Sequence, residues 1–494
     1  MRRYQQEGVN WLGFLLKYQL HGILCDDMGL GKTLQTIAAI ACDTHLRRER
    51  YKRTGEERDR PLPSLIVCPP TLVDHWQHEI LQFCNETLVP ITLRSKEVKE
   101  RASLREELLS SDKVLILSYD SLRLHLLHLL NSSISWNFAV LDEGHIIKNP
   151  SSKITAAVKS IGLCSLHRLI LTGTPIQNNV LELWSLFDFL MPGFLGSAQH
   201  FQLHYARPIL DDRERKEEAK VIEAGDRALD RLHRQVLPFM LRRTKEEVLQ
   251  DLPPKIIQDI LLPLTPLQSH LYRLAVRKGG EGGGGAQGEK SKTLQTLTQL
   301  KKIVNHPMLV LDAEQEEDKQ VIAQVCGPGV SPHDINLSAK LLALHELLVD
   351  CGIGVEEEQS SSRVLIFAQM RSMLDIIQRD LLEKKLPAAT YLRMDGTTPV
   401  HQRFEIQKAF NSDPTIDLLL LTTHVGGLGL TLTGADTVIF IEHDWNPMKD
   451  LQATLLQAMD RAHRIGQTKT VNVFRLITKG TLEEKIMGLQ RFKL

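Results

Sequence analysis

Short, strongly apolar runs recur along the chain, separated by stretches with helical spacing. In the first half they fall at Leu65–Cys68, Val114–Ser118, Phe138–Asp142 and Arg168–Thr172. A second series follows at Arg363–Phe367, Tyr391–Met394, Asp417–Leu421, Thr437–Ile441 and Val471–Leu476. Runs this short that stay apolar throughout fit strands covered on both faces, and strands alternating with helices build parallel sheets. The pattern predicts an α/β chain of two tandem doubly wound parallel-sheet lobes with helical insertions. The first lobe covers 1–250, with a charged helical protrusion near 205–240; a linking region covers 251–336, and the second lobe 337–494.

Between the two series, Asp211–Arg234 reads as helical and charge-rich, its salt-laced pattern favouring solvated helices. Leu252–Pro266 reads as extended, Pro-marked segments. Gly279–Gly288, GGEGGGGAQG, is expected to be disordered, because so much glycine carries large chain entropy and nothing to bury. Arg47–Pro63 reads as a solvated polar loop.

Composition narrows the class. A chain of 494 residues is long enough for two or more cores. Lys+Arg and Asp+Glu each total 60, so no global positive field advertises nucleic acid, and phosphate binding must come from local patches and backbone amides. The seven cysteines form no CxxC pair or zinc-spaced cluster and read as core hydrophobes in a reducing compartment. No apolar run approaches the ~20 residues of a membrane span, and MRRYQQEGVNWL lacks a signal-peptide core.

Gly22–Thr36, GILCDDMGLGKTLQT, carries the chemistry: an apolar strand, a glycine-containing turn over Asp26, Asp27, Met28, Gly29, Leu30 and Gly31, then a helix. Backbone N–H groups of such a turn, at a helix N-terminus, can surround phosphate oxygens of ATP. Lys32 would reach the β and γ phosphates and the Thr33 hydroxyl would sit on Mg²⁺. Asp26 stands where the usual pattern has its first glycine, so a GK dipeptide in an ordinary loop is the competing reading. Phe138–Asn149, FAVLDEGHIIKN, favours the nucleotide site: Asp142 would hold Mg²⁺ and Glu143 would orient and deprotonate the attacking water.

RRYQQEGVNWL, DDMGLGKT, IVCPPTLVDHW, DEGHIIKN, LTGTPIQNN, LRRTKEEV, VLIFAQ, TTHVGGLGLTL and DRAHRIGQ stand in one order along nearly the whole chain. In this series the chain resembles the SWI/SNF-type ATPases of helicase superfamily two. DEGH, LMPGFLG and LTGADTVIFIEHDWNPM resemble most the branch of TATA-binding-protein-associated factors. The resemblance implies RecA-like lobes with the nucleotide in the cleft between them, and a nuclear, DNA-dependent ATPase that strips TATA-binding protein from promoter DNA. It places Gln5 on the adenine, has Thr172 and Thr174 link nucleotide state to the bound strand, and makes Arg461 and Arg464 fingers on the γ-phosphate. Duplex tracking needs phosphate contacts, for which Thr71, Gln177, Asn178, Thr397 and Thr422 are candidates at strand ends, with Arg242 and Arg243 as further possibilities or ordinary surface ion pairs.

Three departures from the family pattern stand out. DLQATLLQAMDRAHRIGQ holds five extra residues, expected to be absorbed as a bulge upstream of Arg461. His424 and Thr431 replace a basic residue and Asn, which weakens a basic contact. The resemblance implies that TATA-binding protein is gripped through helical repeats, which are expected to lie outside this sequence. A general nucleosome remodeller, an RNA helicase and a non-hydrolysing ATP-gated scaffold are the alternatives to a duplex DNA translocase.

Overall fold

A computed structural model describes residues 1–93, 113–131, 134–173, 180–209, 219–249, 255–280, 286–312, 314–354, 362–426, 432, 434–443 and 470–493. The chain divides into two compact units, Met1–Asp251 and Leu252–Leu494.

The first unit is built on seven parallel strands in the order β3-β4-β2-β5-β6-β1-β7. These are β1 (Gly22–Leu24), β2 (Ser64–Cys68), β3 (Val89–Thr92), β4 (Lys113–Ser118), β5 (Trp136–Asp142), β6 (Ser165–Leu171) and β7 (Met240–Leu241). Every residue of β1, β2 and β5 is buried, as uninterrupted apolar runs require when helices cover both faces. One face packs Trp136, Phe187 and Phe201, the other Ile37, Trp76 and Ile80. β1 lies between two much later strands, Gly22 facing Leu169 of β6 and Ile23 facing Met240 of β7.

The second unit carries six parallel strands in the order β10-β11-β9-β12-β13-β8. They are β8 (Lys255–Leu262), β9 (Val364–Ala368), β10 (Tyr391–Met394), β11 (Leu418–Thr422), β12 (Thr437–Phe440) and β13 (Val471–Thr478). The helices Pro266–Gly280, Ala286–Asn305 and Glu316–Cys326 pack around a small core of their own that includes Leu267, Leu300, Ile303 and Ile322.

Three local expectations are revised and one, the extended segment after Leu252, is kept. Arg47–Thr54 is not loop: the helix that starts at Lys32 runs to Thr54 and stops at Gly55, whose φ of +66° suits a glycine C-cap. Within Asp211–Arg234 the helix Ala219–Val236 is not simply solvated, because Ala228, Leu232 and Val236, spaced four apart, enter the first core. The extended segment after Leu252 is β8, paired with β13 along its whole length. Helix continues through Gly280 and resumes at Ala286, so within the glycine-rich stretch only 281–285 lie outside the described residues. No helix among the described residues is long and apolar enough to cross a membrane.

Candidate active site

The chain leaves β1 at Leu24 and turns through Cys25–Gly31 into the helix Lys32–Thr54. Gly29 and Gly31 make the turn with φ of +87° and +80°, a region that glycine enters freely. At Gly31 space is short as well, since a Cβ would lie 2.5 Å from Gln5 Nε2. Lys32 opens the helix, and its Nζ donates to the carbonyls of Asp26 and Asp27 at 2.6 and 3.2 Å. An ammonium held across the turn beside a helix N-terminus is a donor set suited to phosphate oxygens.

The paired acids end β5. Asp142 is only 8% exposed. One of its carboxylate oxygens accepts the Trp76 indole N–H at 2.8 Å and the other the Glu143 amide at 2.9 Å, while the Tyr119 hydroxyl donates to its carbonyl at 2.8 Å. Burial first, and the Glu143 charge second, push the Asp142 carboxyl up to about 6; the Trp76 N–H, Lys32 and the Glu143 amide pull the other way. Glu143 itself has φ of +50°, a conformation that non-glycine residues hold only where surrounding structure enforces it. Its Oε2 lies 3.4 Å from His145 Nδ1. At Gly144 a Cβ would come within 2.3 Å of Ile170 Cγ2 on β6, so the third letter of DEGH is set by packing between neighbouring strands.

β6 lies between β5 and β1, and its end draws the two loops together. The Thr172 amide donates to the Leu24 carbonyl at 3.2 Å, and a Cβ at Gly173 would stand 3.1 Å from Met28 Cγ. Lys32, Thr33, Asp142 and Glu143 therefore share one sheet edge, where strand ends meet ligands in open α/β sheets. The donor set fits a magnesium nucleotide: Thr33 and Asp142 offer oxygens, Lys32 offers charge. Among the described residues no group of three or more His, Cys, Asp or Glu could hold a metal alone, so water and phosphate oxygens would fill the rest of its shell.

Gln5, 5% exposed, reaches the same loop: its Oε1 accepts the Arg2 amide at 2.9 Å and its Nε2 donates to the Leu30 carbonyl at 3.3 Å. Asp26 departs from expectation. Its carboxylate is fully buried against Arg243, so it offers a nucleotide only its backbone. Arg243 is equally removed from any surface role, whereas Arg242 is exposed. Thr71 sits buried in the turn after β2. In the second unit the Thr397 hydroxyl and amide both donate to Asp395 Oδ1, at 2.5 and 2.8 Å, and Thr422 ends β11, so both lie along one sheet edge. Thr174, Gln177, Asn178, Thr431, Arg461, Arg464 and the five extra residues lie outside the described residues. Sequence reasoning misses Trp76 and Tyr119 and assigns Arg243 to DNA or the surface; only the runs VDHW and LRRTKEEV flag the neighbourhoods of Trp76 and Arg243.

The sequence profile of the SNF2-related domain matches residues 4–309, and that of the helicase conserved C-terminal domain residues 339–466. The chain is 52% identical over 518 residues to TATA-binding protein-associated factor 172 of Homo sapiens and 53% identical over 516 residues to TATA-binding protein-associated factor MOT1 of Saccharomyces cerevisiae. Each match takes in 100% of this chain and 27% of the relative, so the chain spans about a quarter of those relatives' length. The solved structure titled Sulfolobus solfataricus SWI2/SNF2 ATPase core in complex with dsDNA is 32% identical, covers 99% of this chain and 90% of that one, and superposes with a TM-score of 0.44.

Proposed function

Because this chain belongs to the SNF2-related domain family, we propose that it is a DNA-dependent ATPase that moves along duplex DNA and remodels protein–DNA complexes, with TATA-binding protein on promoter DNA as its target and the nucleus as its place of action. The observation that supports this most is the shared sheet edge on which Lys32 and the turn around Gly29 and Gly31 meet Asp142 and Glu143. The named target rests on the relatives called TATA-binding protein-associated factors.

In this reading backbone amides of the turn and the Lys32 ammonium bind and orient the triphosphate, and Gln5 reads the adenine edge. Glu143 takes the proton of the attacking water while Asp142 and Thr33 hold the metal. Held there, Mg²⁺ would supply positive charge against that developing on the phosphate oxygens. Arg461 and Arg464 add positive charge at the γ-phosphate, and Thr71, Gln177, Asn178, Arg242, Thr397 and Thr422 grip the DNA backbone without reading bases.

ATP turnover measured without DNA, with single-stranded DNA and with duplex DNA tests the proposal. Stimulation by duplex of any sequence, lost in Lys32→Ala with the fold retained, is the expected result. Turnover indifferent to duplex would overturn the translocase reading, and wild type as inert as Lys32→Ala would replace it with the scaffold.

A further inference from the structure

Arg243 lies two residues past β7, and 217 positions separate it from the loop residue it grips. Its guanidinium forks onto Asp26, Nε to Oδ1 at 3.0 Å and Nη2 to Oδ2. Nη1 donates to the Tyr4 carbonyl, and Nη2 also to Gln35 Oε1 at 2.8 Å. Gln35 Nε2 returns to Asp26 Oδ2 and to the carbonyls of Leu30 and Gly31 at 3.3, 3.4 and 3.3 Å. One side chain thus ties the residue before Gln5, the start of the glycine turn, and the helix onto which that turn opens. A Cβ at Gly8 would stand 1.9 Å from Gln35 Oε1 and 2.8 Å from Arg243 Nη2, so glycine there makes the room. The backbone beyond β7 is fastened to the same turn: Cys25 N to Leu241 O at 2.7 Å, Asp27 N to Arg243 O at 3.0 Å, and Lys245 N to Asp27 Oδ2 at 3.1 Å.

We propose that Arg243 is a positioning residue for the nucleotide: it shapes the glycine turn through Asp26 and Gln35, and it links nucleotide occupancy to residues 241–248, which run from the end of β7 through the helical turn Lys245–Val248 close to the unit's end at Asp251. The inference rests on the nucleotide-site reading above. A buried ion pair is weak support for stability by itself, whereas the planar fork of arginine fixes geometry in a way lysine cannot. If the segment holds the turn in its binding shape, binding must in turn hold the segment.

Calorimetric titration of the full chain with Mg·ADP, run alongside hydrogen exchange over 241–248, tests this. Arg243→Ala is expected to lose about 10- to 100-fold in ADP affinity, the scale on which misplaced binding groups act. Arg243→Lys should fall between, and Gly8→Ala should weaken binding from the opposite side of the clamp. ADP should slow exchange of 241–248 in wild type and leave it unchanged in Arg243→Ala. A merely structural arginine would lower the melting temperature yet leave the folded variant's ADP affinity untouched, and that result overturns the inference. Should Arg243→Ala fail to fold, wild-type affinity in both Arg243→Lys and Gly8→Ala does the same. A wild-type chain that takes up no ADP removes the underlying nucleotide reading instead.

Discussion

In the first unit the buried pair Asp26–Arg243 stands beside a glycine turn, and its remaining bonds go to Tyr4 and Gln35, groups that frame that turn. In the second unit Lys340 has no exposed surface and donates to Glu483 Oε1, Asn305 Oδ1 and the Ile441 carbonyl at 2.6, 2.8 and 2.7 Å. Glu483 Oε2 takes the Thr478 amide and hydroxyl at 3.1 and 2.8 Å. All three ammonium donors are used, and the bonds fasten the helix Leu482–Lys493 to the ends of β12 and β13. Similar chemistry at equivalent sheet edges therefore does two jobs: a fork that shapes a loop, and a point charge that seals a core.

The largest expected effect separates these jobs. Lys340→Met leaves the Glu483 carboxylate buried without its counter-charge and should cost about 3–5 kcal/mol in urea unfolding, with Mg·ADP affinity of the first unit unchanged. The double variant Lys340→Met/Glu483→Leu should recover most of the loss; a single variant as stable as wild type would show that the pair seals nothing. Acid sharpens the comparison next. Burial holds His21 and His167 in the first unit and His306 and His443 in the second down to about 4. The unfolded chain takes up these protons near 6.5, so their stabilising share is complete above 6.5, is lost as pH falls toward 4, and then levels off. Asp142 and Glu442, whose carboxyls burial pushes up, offset part of the fall. Calorimetry at pH 7 and pH 5 should show both units melting earlier at pH 5, and a steady melting temperature would contradict the assignment.

Smaller effects probe the nucleotide edge alone. Gly144→Ala drives a methyl into Ile170 and should cost about 1–3 kcal/mol. In Gly144→Ala/Ile170→Ala the two losses should sum to less than their separate values; strict additivity would mean that the two residues do not compete for space. Thr244 accepts the Glu247 amide in a capping box of the segment that Arg243 anchors. Thr244→Ala should cost about 1 kcal/mol, read as faster hydrogen exchange at 245–249.

Much of this architecture is legible in the chain because strands such as β2, β9, β11 and β12 are almost wholly apolar runs, and because glycine, lysine and paired acids at strand ends have few competing explanations. Strands that borrow their status from neighbours are not legible. β7 has two residues, Met240 and Leu241, and exists because β1 lies alongside. β8 reads as extended between its prolines, but nothing in its own residues marks β13 as its partner. The helix Ala219–Val236 hides its apolar stripe among charges. Arg243 reads as a DNA or surface candidate because nothing local marks a guanidinium that meets a carboxylate 217 residues earlier.

The placing of β1 has a consequence for biosynthesis. The strand that carries the glycine turn is synthesised well before its two neighbours, because β6 and β7 are completed only after residues 165 and 240 have been translated. At roughly 5–20 residues per second, the Asp26 carboxylate waits on the order of 10–40 s for its arginine. Throughout that interval a sticky, one-sided strand is exposed to proteases and to other nascent chains, so stalled or prematurely terminated products ending before Arg243 should depend on chaperones.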